Sequence, residues 1–361
     1  MKRIEYLDAI RGLAAFSVVI YHFIGWRWAD QLGIKITSVF INGADAVSFF
    51  FVLSGFVLSF KFFQTKSEPH IPRFVYKRIL RLYPAFLVTV LMNYFYWNRH
   101  GFDLSLLADM FYKNDQNLWQ ELVMVRNNHK FYIPGWTMGV EMVFSLFMPF
   151  LVILAQKNIK YIKYLMPISI FIGQQYMSMY LFHFLLGILL AYYYPQIKAY
   201  KFKESRWFKF RYIIPVIVLF LFSARHFNKI KSFGSIYNDV VNFLALDFFH
   251  FSAIASFVIL LYVINNEKAQ GYLENKFFLF LGKISYSIYL THWLVVVIVM
   301  EKWDMWNFIT DDGRIKFAVM LGVTIVVTLV LATLMYYTVE KVFMQLSYRT
   351  AKKFFPDRQK Q

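Results

Sequence analysis

Cysteine is absent from this chain of 361 residues, and acidic residues are scarce. The absence of cysteine excludes disulfide bonds and thiolate metal sites, and it gives no indication of the cellular compartment. Only 21 Asp and Glu stand against 39 Lys and Arg, which gives a formal net charge of +18. Such an excess is typical of nucleic-acid-binding proteins, and also of membrane proteins with basic cytoplasmic loops. The positions of the charges distinguish these two classes.

Hydrophobic residues are abundant. They make up 59% of the sequence, and 42 of them are Phe, whereas soluble domains average about 45–50% apolar residues. Several apolar runs reach the roughly 20 residues that cross a bilayer. We therefore predict an all-α, polytopic membrane protein rather than a soluble protein with buried helices. About ten transmembrane helices are expected, near residues 9–26, 42–63, 80–98, 137–156, 161–173, 177–195, 212–225, 243–265, 278–300 and 316–342.

The distribution of lysine and arginine between the loops predicts the orientation. With the N-terminus in the cytoplasm, the inner loops and tails carry about twice as many basic residues as the outer loops. Both termini are therefore expected to be cytoplasmic, and the basic charge indicates topology rather than nucleic-acid binding. No small-residue cleavage site follows the first apolar run, so we expect no cleavable signal peptide.

The chain is interpreted as one membrane domain. Residues 1–345 form the predicted transmembrane domain, and residues 346–361 form a basic cytoplasmic tail. The longest outer loop, near residues 99–136, is long enough for a cap but too short for an independent enzyme. No internal repeat is evident, which weakens the case for an inverted-repeat transporter. Small residues in the second and sixth segments, Gly55 and Gly187, are expected where helices pack closely.

Two ionisable residues interrupt the first apolar segment, "RGLAAFSVVIYHF". Charged groups inside a membrane are costly and usually mark a site or a pathway. Arg11 and His22 are eleven residues apart, about 16 Å along a helix and nearly on one face of it. A structural role is the alternative, with a snorkelling arginine and a histidine hydrogen-bonded between helices. Histidine is nevertheless the side chain best suited to move protons near neutral pH.

A second group of charges precedes the third segment, in "RFVYKRILRLYPAF". Lys77, Arg78 and Arg81 lie at its expected cytoplasmic end, and the two arginines are neighbours on one helical face. Guanidinium groups bind phosphates in bidentate fashion, so the cluster suits a phosphorylated ligand. The alternative is an ordinary basic flank of a membrane helix.

A carboxylate opens the fourth segment, in "IPGWTMGVEMVFSLF". Glu141 needs a cation or a hydrogen-bond donor inside the membrane, and Arg11 or His22 is the expected partner. Trp136, five residues earlier, is typical of an interfacial aromatic belt.

Taken together, these stretches resemble the acyltransferase-3 family of integral membrane acyltransferases. The resembling motifs are "YLDAIRGLAAFSVVIYHF", "AVSFFFVLSGFVLSF", "YKRILRLYPAF", "PGWTMGVEMVFSL" and "LGKISYSIYLTHW". They occur in the order that is usual in the family and extend over residues 5–345. Two departures stand out. Lys77 takes a position where many relatives have arginine, and Met142 replaces a second acid, which argues against a two-carboxylate mechanism.

The resemblance implies a reaction and a set of site residues. Members transfer an acyl group, commonly acetyl, from cytoplasmic acyl-coenzyme A to a hydroxyl of a cell-surface or exported glycan. His22 and Glu141 would be catalytic, with His22 as base or transient acyl carrier and Glu141 either orienting it or stabilising its charged form. Ser285, His292 and Glu340 match weaker family positions and are assigned no chemistry. The residues expected to bind acyl-coenzyme A are Arg11, Lys77, Arg78, Arg81 and Trp136.

We therefore predict an O-acyltransferase in the lipid bilayer of a cell membrane, most naturally the bacterial inner membrane. Acyl-coenzyme A and a carbohydrate acceptor are its expected partners, with no nucleic acid, metal site or permanently bound cofactor. The alternatives are a transporter or flippase for a glycan or lipid-linked precursor, and a non-catalytic scaffold. The sequence indicates neither the acceptor nor the oligomeric state.

Overall fold

A computed structural model of the chain describes residues 4–27, 43–98, 116–124, 130–172, 178–223, 248–308 and 312–356. Helices and short helical turns form the regular structure of these residues, and no strand occurs among them. This confirms the all-α prediction. The helices are α1 (Glu5–Arg27), α2 (Gly43–Thr65), α3 (Ile71–Trp97), α4 (Gln116–Leu122), α5 (Trp136–Lys157), α6 (Ile159–Ile172), α7 (Leu181–Tyr192), α8 (Tyr194–Ala199), α9 (Ile213–Phe222), α10 (Phe248–Asn265), α11 (Glu267–Leu273), α12 (Lys276–Glu301), α13 (Gly313–Met335) and α14 (Lys341–Phe354).

The predicted apolar segments coincide with helices throughout the described ranges. Among those residues, seven helical stretches are long and apolar enough to cross a membrane. They comprise α1, α2, α3, α5, α10, α12 and the run from α13 to α14. Two further apolar helices, α7 and α9, are shorter. A membrane protein is therefore confirmed, while the count of ten spans and the cytoplasmic termini stay predictions.

The chain divides into two compact units. Unit 1 comprises residues 1–69 and 147–283, and unit 2 comprises residues 70–146 and 284–361. Both α5 and α12 therefore contribute to each unit.

Unit 1 is built around the contact between α2 and α7. A methyl group at Gly187 would collide with the backbone of α2, and one at Gly55 would collide with the backbone of Phe184. The two glycines therefore let the helices approach closely, as predicted from their small size. Apolar side chains from α1, α2, α7 and α10 form the surrounding core, among them Leu7, Val52, Phe56, Leu186, Leu190 and Leu260.

Polar groups also cross between helices inside unit 1. The imidazole of His183 lies 3.1 Å from the hydroxyl of Ser48, and Ser252 donates a hydrogen bond to the carboxylate of Asp45. All four side chains are buried. Buried polar groups need such partners, so these bonds link α2 to α7 and α10.

In unit 2, α3 packs antiparallel to α14. The side chain of His70 caps the first turn of α3 by accepting from the backbone of Arg73, and proline follows early in that turn, where its missing N–H is harmless. At the same end, the hydroxyl of Tyr76 donates to Thr350 near the end of α14, at 2.7 Å. The predicted boundary between domain and tail at residue 345 falls inside α14, and residues 357–361 lie outside the described ranges.

A π-helical turn, Tyr336–Glu340, joins α13 to α14. Such a turn holds an extra residue within a helix, which rotates the side chains that follow it. Glu340, the last residue of the turn, is buried.

Candidate active site

Arg11 is held by groups of unit 1. Its guanidinium lies 3.3 Å from the carboxylate of Asp8 one turn earlier, and it donates to the carbonyl of Gly282 at 3.1 Å. That carbonyl comes close because Gly12 and Gly282 have no side chains. A methyl group at either position would collide with the opposite backbone. The arginine is thus compensated by a carboxylate and oriented by the start of α12.

His22 belongs to the same unit and the same helix. Because α1 is continuous from Glu5 to Arg27, the predicted separation of about 16 Å from Arg11 holds along the helix axis. The imidazole is half-buried, forms a hydrogen bond with the backbone of Val18, and lies edge-on to the ring of Tyr21 at 5.4 Å.

In unit 2, Arg78 pairs with Glu141. Their side chains are 9% and 14% exposed, and an Nη atom of Arg78 donates to the Glu141 carboxylate. Within unit 2 the partner of Glu141 is Arg78, which the sequence had assigned to the donor. A pairing of Glu141 with Arg11 or His22 stays a prediction. Nε of Arg78 is buried and has no hydrogen-bond partner among the described residues. One strong donor of this guanidinium is therefore left for a ligand.

Three more side chains complete this group of charges. Tyr286 lies near the charged groups of Arg78, Arg81, Glu141 and Glu340, and its hydroxyl donates to the backbone carbonyl of Leu82 at 2.7 Å. We call Arg78, Arg81, Glu141, Tyr286 and Glu340 the charge cluster. Arg81 is half-buried, and within the described ranges its guanidinium makes no hydrogen bond.

Glu340 is positioned by two features of unit 2. It ends the π-helical turn, and its carboxylate accepts a hydrogen bond from the hydroxyl of Ser287 at 2.8 Å. Both side chains are buried. From the sequence, Glu340 was assigned no chemistry and Tyr286 was not singled out. The position of Glu340, an acid in an apolar helix, was nevertheless a signal of a functional site.

The other two predicted binding residues lie elsewhere in unit 2. Nζ of Lys77 lies 4.6 Å from the centre of the Tyr348 ring on α14. Trp136 is the first residue of α5 and is half-buried.

The turn before α5 is held firmly. The buried carboxylate of Glu121 accepts from the backbone N–H groups of Phe131 and Tyr132, at 2.7 and 3.2 Å. The hydroxyl of Tyr132 donates to the carbonyl of Tyr289 at 2.9 Å. Burial raises the pKa of the Tyr132 phenol well above its ordinary value, so it stays a donor at physiological pH. This turn positions the start of α5, on which Glu141 lies.

The structure thus brings together Arg78, Arg81 and Glu141 in unit 2, while Arg11 and His22 belong to unit 1. A joint action of His22 and Glu141 stays a prediction. Within the described ranges, no three His, Cys, Asp or Glu side chains come together as a metal site.

Comparisons with known proteins agree with these features. A family model described as "Acyltransferase domain", acyltransferase-3, matches residues 4–337. Three proteins of Staphylococcus aureus, from strains COL, MSSA476 and MRSA252, carry the name "Putative O-acetyltransferase" and are each 24% identical over 384 residues. The alignments cover 95% of this chain and 58% of each relative, so the chain spans little more than half the length of these relatives. No solved structure matched the chain.

Proposed function

The chain belongs to the acyltransferase-3 family, and on that premise we propose that it is a membrane O-acyltransferase. The donor is acyl-coenzyme A, with acetyl as the expected acyl group. The acceptor is a hydroxyl of a cell-surface or exported glycan. The enzyme acts in a cell membrane, with the donor bound from the cytoplasmic side.

The buried pair of Arg78 and Glu141 supports this proposal most strongly. Arginine and glutamate inside a membrane domain cost free energy and are usually functional. In addition, Nε of Arg78 is buried without a hydrogen-bond partner in the described part of the chain. A thioester carbonyl is an acceptor that this N–H suits, and its oxygen gains negative charge as the hydroxyl attacks. Hydrogen bonds directed at such a developing oxyanion are among the largest contributions to catalysis.

The proposed reaction is balanced without any further reactant. The acceptor oxygen forms a bond to the acyl carbon, the bond between that carbon and sulfur breaks, and the hydroxyl proton ends on the thiol of coenzyme A. His22 carries this proton as general base and then general acid. In the alternative route, its imidazole first takes the acyl group and then passes it to the hydroxyl.

The cations of unit 2 divide into two roles in this proposal. Arg78, held by Glu141, acts near the acyl group, with Glu141 keeping its guanidinium in place. Arg81 and Lys77, which lie on the same helix, attract the phosphates of the donor. Arg11 supports His22 through their shared helix, and Trp136 borders the site at the start of α5.

Release of free coenzyme A from acetyl-coenzyme A tests the proposal with the detergent-purified protein. Water replaces the unknown acceptor, so slow release is expected from the parent protein. The variant His22→Ala should abolish this release while coenzyme A still binds. A matched control is His183→Gln, which alters another buried histidine that has no role in the proposed chemistry, and which should retain release.

The possible outcomes separate the candidate functions. Release that is equal in the parent and in His22→Ala removes His22 from the mechanism. Absence of release together with absence of coenzyme A binding contradicts the acyltransferase and favours the transporter. A burst of one coenzyme A per protein, followed by slower turnover, supports the acyl-imidazole route over the general-base route.

A further inference from the structure

A second group of cations lies where α3 begins and α14 ends. Arg73 and Lys77 occupy the first two turns of α3, and Arg349, Lys352 and Lys353 occupy the last two turns of α14. We call these five residues the basic rim. The contacts that bring the two helix ends together are the hydrogen bond from Tyr76 to Thr350 and the ring contacts of Phe355 with His70 and Tyr76.

The basic rim carries charge of one sign only. Neither α3 nor α14 contains an Asp or a Glu. Arg349, Lys352 and Lys353 are exposed, and they form no ion pair with any residue that the structure describes. Residues three and four apart on a helix are neighbours, and like charges at that spacing repel each other. The three cations on α14 therefore repel one another, and an anion that binds between them relieves this repulsion.

Aromatic rings accompany these cations on α14. Tyr348 and Phe354 are 62% and 60% exposed, and Nζ of Lys77 lies 4.6 Å from the centre of the Tyr348 ring. Exposed aromatic rings interleaved with cations are the usual means of binding a nucleotide, because the base stacks while the phosphates pair.

From these observations we propose that the basic rim binds the 3′-phosphoadenosine end of coenzyme A. This inference rests on the proposed function and assigns α14 a role in it. Coenzyme A carries a 5′-diphosphate and a 3′-monophosphate, and together these exceed the charge that Arg81 and Lys77 alone would balance. Arg349, Lys352 and Lys353 contact the 3′-phosphate, and the ring of Tyr348 stacks on the adenine.

The 3′-phosphate provides a direct test, because dephospho-coenzyme A lacks only this group. Calorimetric titration of the detergent-purified full chain should show coenzyme A binding about tenfold or more tightly than dephospho-coenzyme A, as charge-assisted contacts to one phosphate predict. The combined variant Arg349→Gln, Lys352→Gln and Lys353→Gln should bind coenzyme A more weakly. Its affinity for dephospho-coenzyme A should stay nearly unchanged, so that the preference between the two ligands disappears.

A matched control removes three exposed cations from unit 1. The variant Lys198→Gln, Lys203→Gln and Lys209→Gln loses the same formal charge and should keep the preference for coenzyme A. Glutamine is nearly as good a helix former as lysine or arginine, so α14 should stay helical in the test variant. Circular dichroism and elution as a single species verify that it does.

Three results would overturn the inference. The first is a parent protein that binds both ligands equally, which shows that the 3′-phosphate is not contacted, while the proposed function stands. The second is a test variant that keeps the preference, which places the phosphate elsewhere. The third is selective loss of phosphatidylglycerol binding by the test variant in nanodiscs with coenzyme A affinity intact, which makes anionic lipid the occupant. No binding of either ligand by the parent contradicts the proposed function itself.

Discussion

The ion pair between Arg78 and Glu141 allows a quantitative prediction about stability. Replacing Glu141 by Gln leaves the guanidinium of Arg78 buried without its carboxylate partner, and Arg78→Gln removes that guanidinium from the carboxylate of Glu141. Removal of one member of a buried pair typically costs about 3–5 kcal/mol. Both side chains here are at least 86% buried, being 9% and 14% exposed, so the buried estimate applies rather than the 0–1 kcal/mol typical of exposed pairs.

The double variant Arg78→Gln and Glu141→Gln should be destabilised by much less than the sum of the two single variants. It leaves no uncompensated charge, so only packing and hydrogen bonding change. We expect the sum of the two single losses in free energy of unfolding to exceed the loss in the double variant by about 2 kcal/mol or more. A difference of this size is within the range measured for contacting residues. Acyl transfer should be lost in all three variants, because each lacks a group of the charge cluster.

The free energy of unfolding is measurable by titration of the purified protein in mixed micelles with a denaturing detergent. An exposed pair in unit 1 is the control. Lys201 and Glu204 lie 3.1 Å apart with 72% and 67% of their side chains exposed, and Glu204→Gln should change stability by less than about 1 kcal/mol. Additive effects of Arg78→Gln and Glu141→Gln would refute the pairing and, with it, the placement of Arg78 by Glu141.

Three further predictions concern packing and hydrogen bonds. Gly187→Val should greatly reduce the yield of folded protein by gel filtration, because its side chain would collide with the backbone of α2, whereas Gly25→Ala, with nothing near its added methyl group, should not. Ser287→Ala should destabilise the chain by about 1–3 kcal/mol, since it removes a donor from a buried carboxylate; unchanged stability would show that this bond is dispensable. Burial raises the pKa of the Tyr132 phenol well above its ordinary value, so above about pH 10 the phenol ionises in the unfolded chain while it stays protonated and hydrogen-bonded in the folded protein. This ionisation stabilises the unfolded chain of the parent protein and is absent from Tyr132→Phe. The difference in free energy of unfolding between the parent and Tyr132→Phe should therefore be constant from pH 7 to 9 and shrink above pH 10. A difference that already shrinks between pH 7 and 9 would contradict this prediction.

Most of the helical architecture follows from composition and local pattern. Runs of apolar residues bounded by charged or polar loops predict helices, because a backbone in lipid must satisfy its own hydrogen bonds. The close packing at Gly55 and Gly187 was likewise readable from residue size. The helix from Glu5 to Arg27 keeps Arg11 and His22 at the predicted spacing, which is a local property of the sequence.

The partners in the candidate site follow from tertiary structure and were not readable in the same way. Arg78 and Glu141 are 63 residues apart in sequence, and a carboxylate in an apolar segment indicates only that some donor exists. The π-helical turn that ends at Glu340 has no comparably clear sequence signal. The aromatic contact of Lys77 with Tyr348 depends on the antiparallel packing of α3 and α14, which apolar periodicity alone does not specify.

The distribution of charge within unit 2 suits the proposed chemistry. The charge cluster contains two arginines and two glutamates, so its formal charges cancel, whereas the basic rim is entirely positive. Conversion of a thioester and a hydroxyl into an ester and a thiol changes no net charge. Because the charge cluster is neutral, its net charge favours neither the reactants nor the products of that reaction. Attraction of the polyanionic donor then falls to Arg81 and the basic rim. Variants of the rim should accordingly raise KM for acyl-coenzyme A while kcat persists, and variants of Arg78 or Glu141 should lower kcat.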